Sequence, residues 1–487
     1  MKISKLSYYS IFASICGILN IITYDNFLNA LVLTTVEIFV LLYLFFKNKI
    51  TDFICFYLIF LSLSMEFSGL IRGGIIYSFK EFRLLGVNLA IWALVPVTFQ
   101  FIFRYKFSDG QLKNSYLVWF LKYFLLICII GIIMGTLLII INDNNVRTIS
   151  NLTALFAKEI YIRAVYPFML IAAYLYIQKY EQSQLNKLNS AILAILLGVV
   201  VELIVSLALN ETGIYGDIAT LVSSSLIRFI PFMLYVPFCY KKVPKYYCFF
   251  SIMGLILSIS YNATGKQIIL YAISPLVILL ILIQRKSPKA IICMMIVPIF
   301  FIAVIGIVPN ILNTNALFIA KYKQVVRMFS WGDGWYKNLP PSPRVRVAEI
   351  INILNEYTQK PWYLPLGKGY MGTTPDYLGE YNVKDAFADS QVKAGIFYSV
   401  HENFSQTLLF SGLLGLGLYL SLLILIIKHI GSSPFLLIGG YWFLMGYGFS
   451  ASMSAFGMFA LLIGLTYIDY DIHKINLKQY NNARSLI

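Results

Sequence analysis

The chain has 487 residues, 59% apolar and 12% charged, with 38 Lys+Arg against 22 Asp+Glu and a net charge of +16. The charged share is about half the ~25% of a soluble domain. Together with a mean hydropathy of +0.77, it excludes a soluble cytosolic enzyme, a disordered chain and a coiled coil. The apolar content is enough for about 14 spans of ~20 residues, so the sequence reads as an all-α polytopic integral membrane protein.

In chain order, apolar runs predict spans at 8–23, 27–46, 53–71, 84–103, 116–141, 161–177, 190–209, 217–239, 246–262, 267–283, 290–308, 404–427, 434–449 and 453–468. The last two are short for a ~30 Å hydrocarbon core and read as tilted or re-entrant pieces, giving 12 to 14 transmembrane helices. Met1-Lys2-Ile3-Ser4-Lys5 precedes the first run without a small-residue cleavage site. That run therefore reads as a span rather than a signal peptide. The six cysteines lie in or beside apolar runs and form no CxxC, which fits small hydrophobic side chains better than a disulfide framework or a zinc site.

Four regions follow: residues 1–308 with spans 1 to 11, a polar stretch at 309–403, C-terminal spans at 404–468, and a tail at 469–487. Alternating from an inside N-terminus puts at least one cationic residue in every inner segment, 19 in all. Both termini are then cytoplasmic and 309–403 is a large periplasmic loop. A polar loop this long reads as a partly folded functional element. It carries Trp331, Trp335 and Trp362, a turn at Pro340-Pro341 and a helix-like stretch from Val345 to Tyr357.

Histidine is scarce, with His401, His429 and His473 only. His401 closes the polar loop where the next span begins, and a neutral imidazole at that boundary suits proton abstraction from a hydroxyl. Of the cations that break the inside bias, Arg228 is embedded in Ser223-Ser224-Ser225-Leu226-Ile227-Arg228-Phe229-Ile230-Pro231. An intramembrane arginine marks a functional site or an ion pair, here with Glu202 or Glu66 as the pairing alternative. Arg163 follows Glu159 by four residues and reads as a helical i,i+4 pair. Arginines gathered near the outer boundary suit an anionic ligand such as a lipid-linked phosphate, because the planar fork matches phosphate oxygens. The sequence has no GxxxxGK[ST], HExxH or GxSxG, and its one Asp-x-Asp, Asp469-Tyr470-Asp471, lies in the tail.

Three stretches resemble one known family. Arg344-Val345-Arg346 leads a helix-like run, followed by Pro361 and Gly367-Lys368-Gly369. His401 leads into a span with Leu408, Gly412-Leu413 and Gly415-Leu416, and Thr264-Gly265-Lys266 forms a short outer turn. This arrangement is similar to the bacterial O-antigen polymerase/O-antigen ligase superfamily, with the match confined to the C-terminal half. Lys266 stands where that family commonly has arginine, and Glu402 follows His401 where it often has asparagine.

The resemblance implies a membrane glycosyltransferase: a glycan passes from an undecaprenyl-pyrophosphate donor to a hydroxyl of an acceptor lipid-linked repeat unit, with inversion and without a metal or other cofactor. It assigns His401 as general base and Arg346 and Lys266 to the pyrophosphate, with Arg344 and Arg228 as further candidates. The implied partners are the lipid-linked donor and acceptor and membrane lipid, with room for a chain-length regulator protein and none for nucleic acid. Two rivals remain at this stage. One is the ligase, which moves finished glycan to lipid A core. The other is a lipid-linked oligosaccharide flippase, for which related halves and a midplane site are expected.

Overall fold

The computed structural model describes residues 5–65, 76–84, 87–104, 116–209, 225–240, 243–261, 265–290, 292, 323, 335–381, 387, 389–398, 400–445 and 451–484. It is mostly helical. The N-terminal half contains α1 (Leu6–Thr23), α2 (Phe27–Phe46), α3 (Ile50–Leu63), α4 (Leu89–Arg104), α5 (Tyr116–Ile141), α6 (Leu152–Ile160), α7 (Tyr166–Tyr180) and α8 (Leu185–Ala208). A small hairpin, β1 (Arg83–Leu84) with β2 (Val87–Asn88), precedes α4 and pairs Arg83 with Asn88. After a 3-10 helix (Ser225–Tyr235) come α9 (Val236–Cys239), α10 (Lys245–Ser260) and α11 (Gly265–Gln284). The C-terminal part holds α12 (Pro341–Gln359), α13 (Asp389–Ala394), α14 (Asn403–Lys428), α15 (Pro434–Met445) and α16 (Ala451–Arg484).

Among the described residues seven helices are long and apolar enough to cross a membrane: Leu6–Thr23, Phe27–Phe46, Tyr116–Ile141, Leu152–Tyr180, Gln182–Ala208, Asn403–Lys428 and Ala451–Asp469. Six shorter apolar helices accompany them, at Ile50–Leu63, Leu89–Arg104, Ser225–Cys239, Lys245–Ser260, Ile269–Gln284 and Pro434–Leu444. Thirteen of the fourteen expected spans thus coincide with an apolar helix. The fourteenth, 290–308, lies outside the described residues except for Ala290 and Ile292.

Several boundaries differ from the sequence reading. The span expected at 161–177 begins at Leu152: Glu159 and Arg163 pair at 2.6 Å one turn apart and leave the helix nearly neutral there. A single π-turn, Tyr161–Val165, interrupts it before Pro167. The piece at 453–468 is not short: α16 runs unbroken to Arg484, past the expected start of the tail. Its Asp469 accepts the Tyr116 backbone N–H at 2.9 Å, tying it to the first turn of α5.

All of α3 except Asp52 is buried, which places this helix in the middle of the bundle. On α5, Ile129, Ile133, Leu137 and Ile140 are at least 42% exposed and recur at helical spacing, an outward stripe suited to hydrocarbon. Polar contacts gather at the two ends of the bundle. Lys187 pairs with Asp52 and Arg285 donates to the Gly431 carbonyl at one end; at the other, Tyr77 N–H meets the Tyr24 carbonyl.

At that second end α12 packs onto α14. Pro341 opens α12 at a position where the missing N–H goes unused. Its buried residues Val345, Ala348, Glu349, Asn352, Ile353, Glu356 and Tyr357 repeat at three and four, an amphipathic face. Below it the chain turns through Gly367-Lys368-Gly369 and enters the bundle between α5 and α14. Tyr370 N–H reaches the Gly131 carbonyl at 2.7 Å, ten residues, or about 15 Å, from the nearer end of α5.

The entry is possible because α14 is broken at Gly412, whose φ of 58° and ψ of −153° belong to a region essentially restricted to glycine. The break frees carbonyls and amides on both sides, and the loop supplies their partners. Leu408 and Leu409 carbonyls accept from Tyr357 Oη at 2.9 and 3.0 Å. Lys368 N–H donates to Leu409 and Gly369 N–H to Phe410, while Leu413 and Leu414 N–H groups donate to the Leu364 and Pro365 carbonyls. A Cβ on Gly412 would lie 2.5 Å from Gly367 N and 2.6 Å from Leu364 O. Gly412→Ala should therefore destabilise the protein by roughly 2–5 kcal/mol through strain and overpacking; a lower melting temperature in detergent, with faster proteolysis of residues 361–373, would show it.

Candidate active site

The His401 imidazole is fixed by Glu349 of α12. Nδ1 lies 2.5 Å from Glu349 Oε1, and the His401 backbone N–H donates to both oxygens of that carboxylate at 3.0 and 3.2 Å. The ring meets Phe387 edge to face, 5.0 Å between centroids, within a small aromatic cluster that includes Tyr381 and Phe397. A carboxylate at Nδ1 holds the proton on that nitrogen and leaves Nε2 as the acceptor. Among the described residues nothing bonds Nε2, and the side chain is 27% exposed. Glu349 itself is fully buried. Burial pushes its carboxyl above the ordinary range, and the His401 contacts pull it back. An orienting carboxylate, an imidazole and an open ring nitrogen are what general-base chemistry requires.

Arg346 stands one turn before Glu349 on α12, so the two share a side of the helix. Its Nε lies 2.6 Å from Glu402 Oε1, and Nη1 donates to Ser342 Oγ at 2.6 Å. Arg346, Glu349, His401 and Glu402 thus form one cluster where α12 meets the first residue of α14. Arg344 is turned roughly 200° around α12 from Arg346 and pairs with Glu380 at 2.9 Å; it braces the external segment away from His401. Arg228 is half-buried on the 3-10 helix between buried Ile227 and Phe229, a helix packed on α8 and α10. Lys266 is the second residue of α11, with its side chain outside the described residues, as are Thr264, Glu66 and Trp331.

Beneath the cluster, charges that look free in the sequence neutralise one another. Lys368 and Glu356, both buried, pair at 2.7 Å, with Asp143 Oδ2 3.4 Å from Lys368. Lys360 pairs with Asp143 and stands 3.6 Å from Glu356. Asn144 donates to Glu356 at 2.7 Å, and Lys368 also donates to the Thr373 carbonyl at 2.6 Å. Two ammoniums and two carboxylates therefore form a closed clamp between the turn after α5 and residues 356–368. Such a clamp holds only when every charge is matched. Burial lowers the Lys368 ammonium while Glu356 and Asp143 oppose the shift. Burial raises Asp143, but Lys360 and Lys368 outweigh it and hold the carboxyl below 3.8.

A cavity of about 150 Å³ lies between α5, α7, α14, α15 and α16. Its polar wall includes Arg163, Asn403, Gln406, Thr407 and Ser411. The π-turn presents Arg163 there, a common use of such a turn. Its guanidinium bonds Glu159 at 2.6 Å and Gln406 Oε1 at 3.0 Å, over the Phe410 ring at 4.6 Å. Gln406 Nε2 in turn donates to the Val400 carbonyl at 2.6 Å, one residue before His401. The i,i+4 pair expected for Arg163 is present, and the same side chain also faces the cavity.

Sequence reasoning found His401 and Arg346 and missed Glu349, Glu356 and Gln406. A signal for two of them was available: on a helix from Val345 to Tyr357, positions 349 and 356 fall on the apolar face, and a carboxylate there requires a partner. Among the described residues no group of three or more His, Cys, Asp or Glu could hold a metal. The cysteines at 16, 55, 128, 239 and 248 are free thiols.

No protein-family model matches the chain, and no curated protein or solved structure matches it.

The clamp has a pH signature. Because Asp143 is depressed in the folded state, its stabilisation is complete above pH 3.8 and is lost as pH falls below that value. Asp143→Asn should lower the melting temperature at neutral pH, and its difference from wild type should shrink as pH is taken toward about 2.

Proposed function

We propose that this protein is a polysaccharide polymerase that transfers a glycan from an undecaprenyl-pyrophosphate donor to a hydroxyl of an acceptor lipid-linked repeat unit. The observation that carries this reading is the His401–Glu349 pair beside Arg346, at the end of a bundle of apolar helices and next to an intramembrane cavity. A substrate with a polyprenyl tail, a pyrophosphate and a water-soluble glycan needs that sequence of environments.

In the proposed reaction the acceptor hydroxyl gives its proton to His401 Nε2 as its oxygen attacks the anomeric carbon. Glu349 keeps the imidazole oriented and balances the imidazolium that forms. The bond between the anomeric carbon and the pyrophosphate oxygen breaks, and its electron pair leaves with the pyrophosphate. Arg346 meets that growing charge with a fixed cation. Lys266 joins it on the strength of the family resemblance, and Arg163 is the cation facing the cavity where the lipid end would lie. One displacement inverts the anomeric centre. On this reading the chain is a multi-pass protein of the bacterial inner membrane with both termini cytoplasmic and residues 309–403 periplasmic.

Purified protein given a lipid-linked repeat unit should produce a ladder of polymer. His401→Ala should slow elongation about 10²- to 10⁴-fold, and Glu349→Gln about 10²-fold or more, both with the protein still inserted. Wild-type ladders from His401→Ala would remove the base assignment. Arg346→Ala should abolish elongation and Arg346→Lys restore part of it, since the charge survives and the fork does not. A deletion strain separates the neighbouring activities: glycan stalled at one repeat indicates a polymerase, and full-length unattached glycan indicates a ligase.

A further inference from the structure

Glu402 occupies the position that caps α14, with extended backbone at φ −109° and ψ 144°. A side chain there ordinarily accepts from a free N–H of its own helix. Glu402 makes no such bond and reaches instead to Arg346 Nε on α12 at 2.6 Å. The two side chains are 27% and 19% exposed, so the contact sits at the rim of the site and a ligand can reach it. Its neighbour His401 bonds Glu349 on the same side of α12. Adjacent residues thus present a base and an anion to the two working residues of one helix face.

We propose that Glu402 is a specificity-determining residue: its carboxylate is a built-in occupant of Arg346 that only a ligand with more than one negative charge displaces. The proposal rests on Arg346 being a pyrophosphate ligand. In a membrane such a site meets phosphodiester headgroups at far higher concentration than any lipid-linked glycan, and each phosphodiester carries a single negative charge. Replacing Glu402 with a monoanion exchanges one carboxylate-like contact for another, breaks a charge-assisted bond and leaves a displaced carboxylate facing the newcomer. A pyrophosphate carries about two negative charges and is drawn to the guanidinium more strongly than a phosphodiester is, so it gains where the monoanion breaks even. Rejection through a competing group, rather than extra attraction for the right ligand, is an established route to selectivity.

The test uses the full-length protein in nanodiscs of zwitterionic lipid with two soluble probes, geranyl pyrophosphate and dihexanoylphosphatidylglycerol, titrated calorimetrically. Wild type should prefer the pyrophosphate. Glu402→Gln should tighten both probes by up to about fivefold, the value of one partly exposed ion pair, so that the monoanionic probe, too weak to displace Glu402 in wild type, now gives saturable binding. Glu402→Asp should keep the preference, because it retains the charge. No gain in monoanion binding in Glu402→Gln, or a parallel loss of both affinities as expected for a merely structural tie, overturns the proposal while Arg346 remains a ligand. Pyrophosphate binding by Arg346→Ala at the wild-type level overturns the Arg346 assignment itself.

Discussion

The architecture depends on an exchange of backbone hydrogen bonds at Gly412. A helix in an apolar bundle cannot leave carbonyls and amides unmatched, since each costs on the order of several kcal/mol in hydrocarbon. At the break the Leu408, Leu409 and Phe410 carbonyls lose their partners within α14, and Tyr357, Lys368 and Gly369 replace them. Leu413 and Leu414 gain the Leu364 and Pro365 carbonyls. The insertion satisfies the helix and the helix satisfies the insertion, so neither is stable alone. Everything at the site inherits its position from this exchange: α12 is held to α14 through Tyr357, and α12 carries Glu349 and Arg346.

Charge is organised by a similar reciprocity. The outer cations that break the inside bias read in the sequence as a field awaiting an anion. The structure instead pairs Arg163 with Glu159, Arg344 with Glu380, Arg346 with Glu402, Lys360 with Asp143 and Lys368 with Glu356. Few acidic residues are present, and five of them neutralise these five cations. The pairs differ in accessibility. Lys368 with Glu356 is sealed, whereas Arg346 with Glu402 lies open enough for exchange. A buried closed pair positions structure, and a rim pair can change partners.

The spans were legible because hydrocarbon length and apolar runs constrain each other tightly; α2 and α5 have the bounds the sequence predicts. His401 stood out in the sequence through its place at the loop's end, and Arg346 through the resemblance of the run that leads to Pro361 and Gly367-Lys368-Gly369. Glu349 was not, because nothing in a linear string shows that residue 349 faces residue 401, fifty-two positions away. The depth of Gly367-Lys368-Gly369 was hidden as well. Glycines flanking a lysine look like an exposed turn, and only the break at Gly412 and the small surface at Gly131 and Gly135 make room for them. The start of the span at α6 and α7 was placed nine residues late, because the apolar run begins at 161, although Glu159 and Arg163 already read as a helical i,i+4 pair.

The broken helix also has a consequence for how the chain is made. The residues before Gly412 in α14, 403–411, form a half-helix of about 14 Å, too short to cross a ~30 Å core. The part after it, 413–428, is about 24 Å. The first half completes its bonding only with residues 357–369, which precede it in synthesis and must already be folded. Assembly of the last three helices and folding of residues 357–369 are therefore one cooperative event. A lesion in residues 361–373 would be felt first as failed biogenesis of the C-terminal bundle, before any question of chemistry arose.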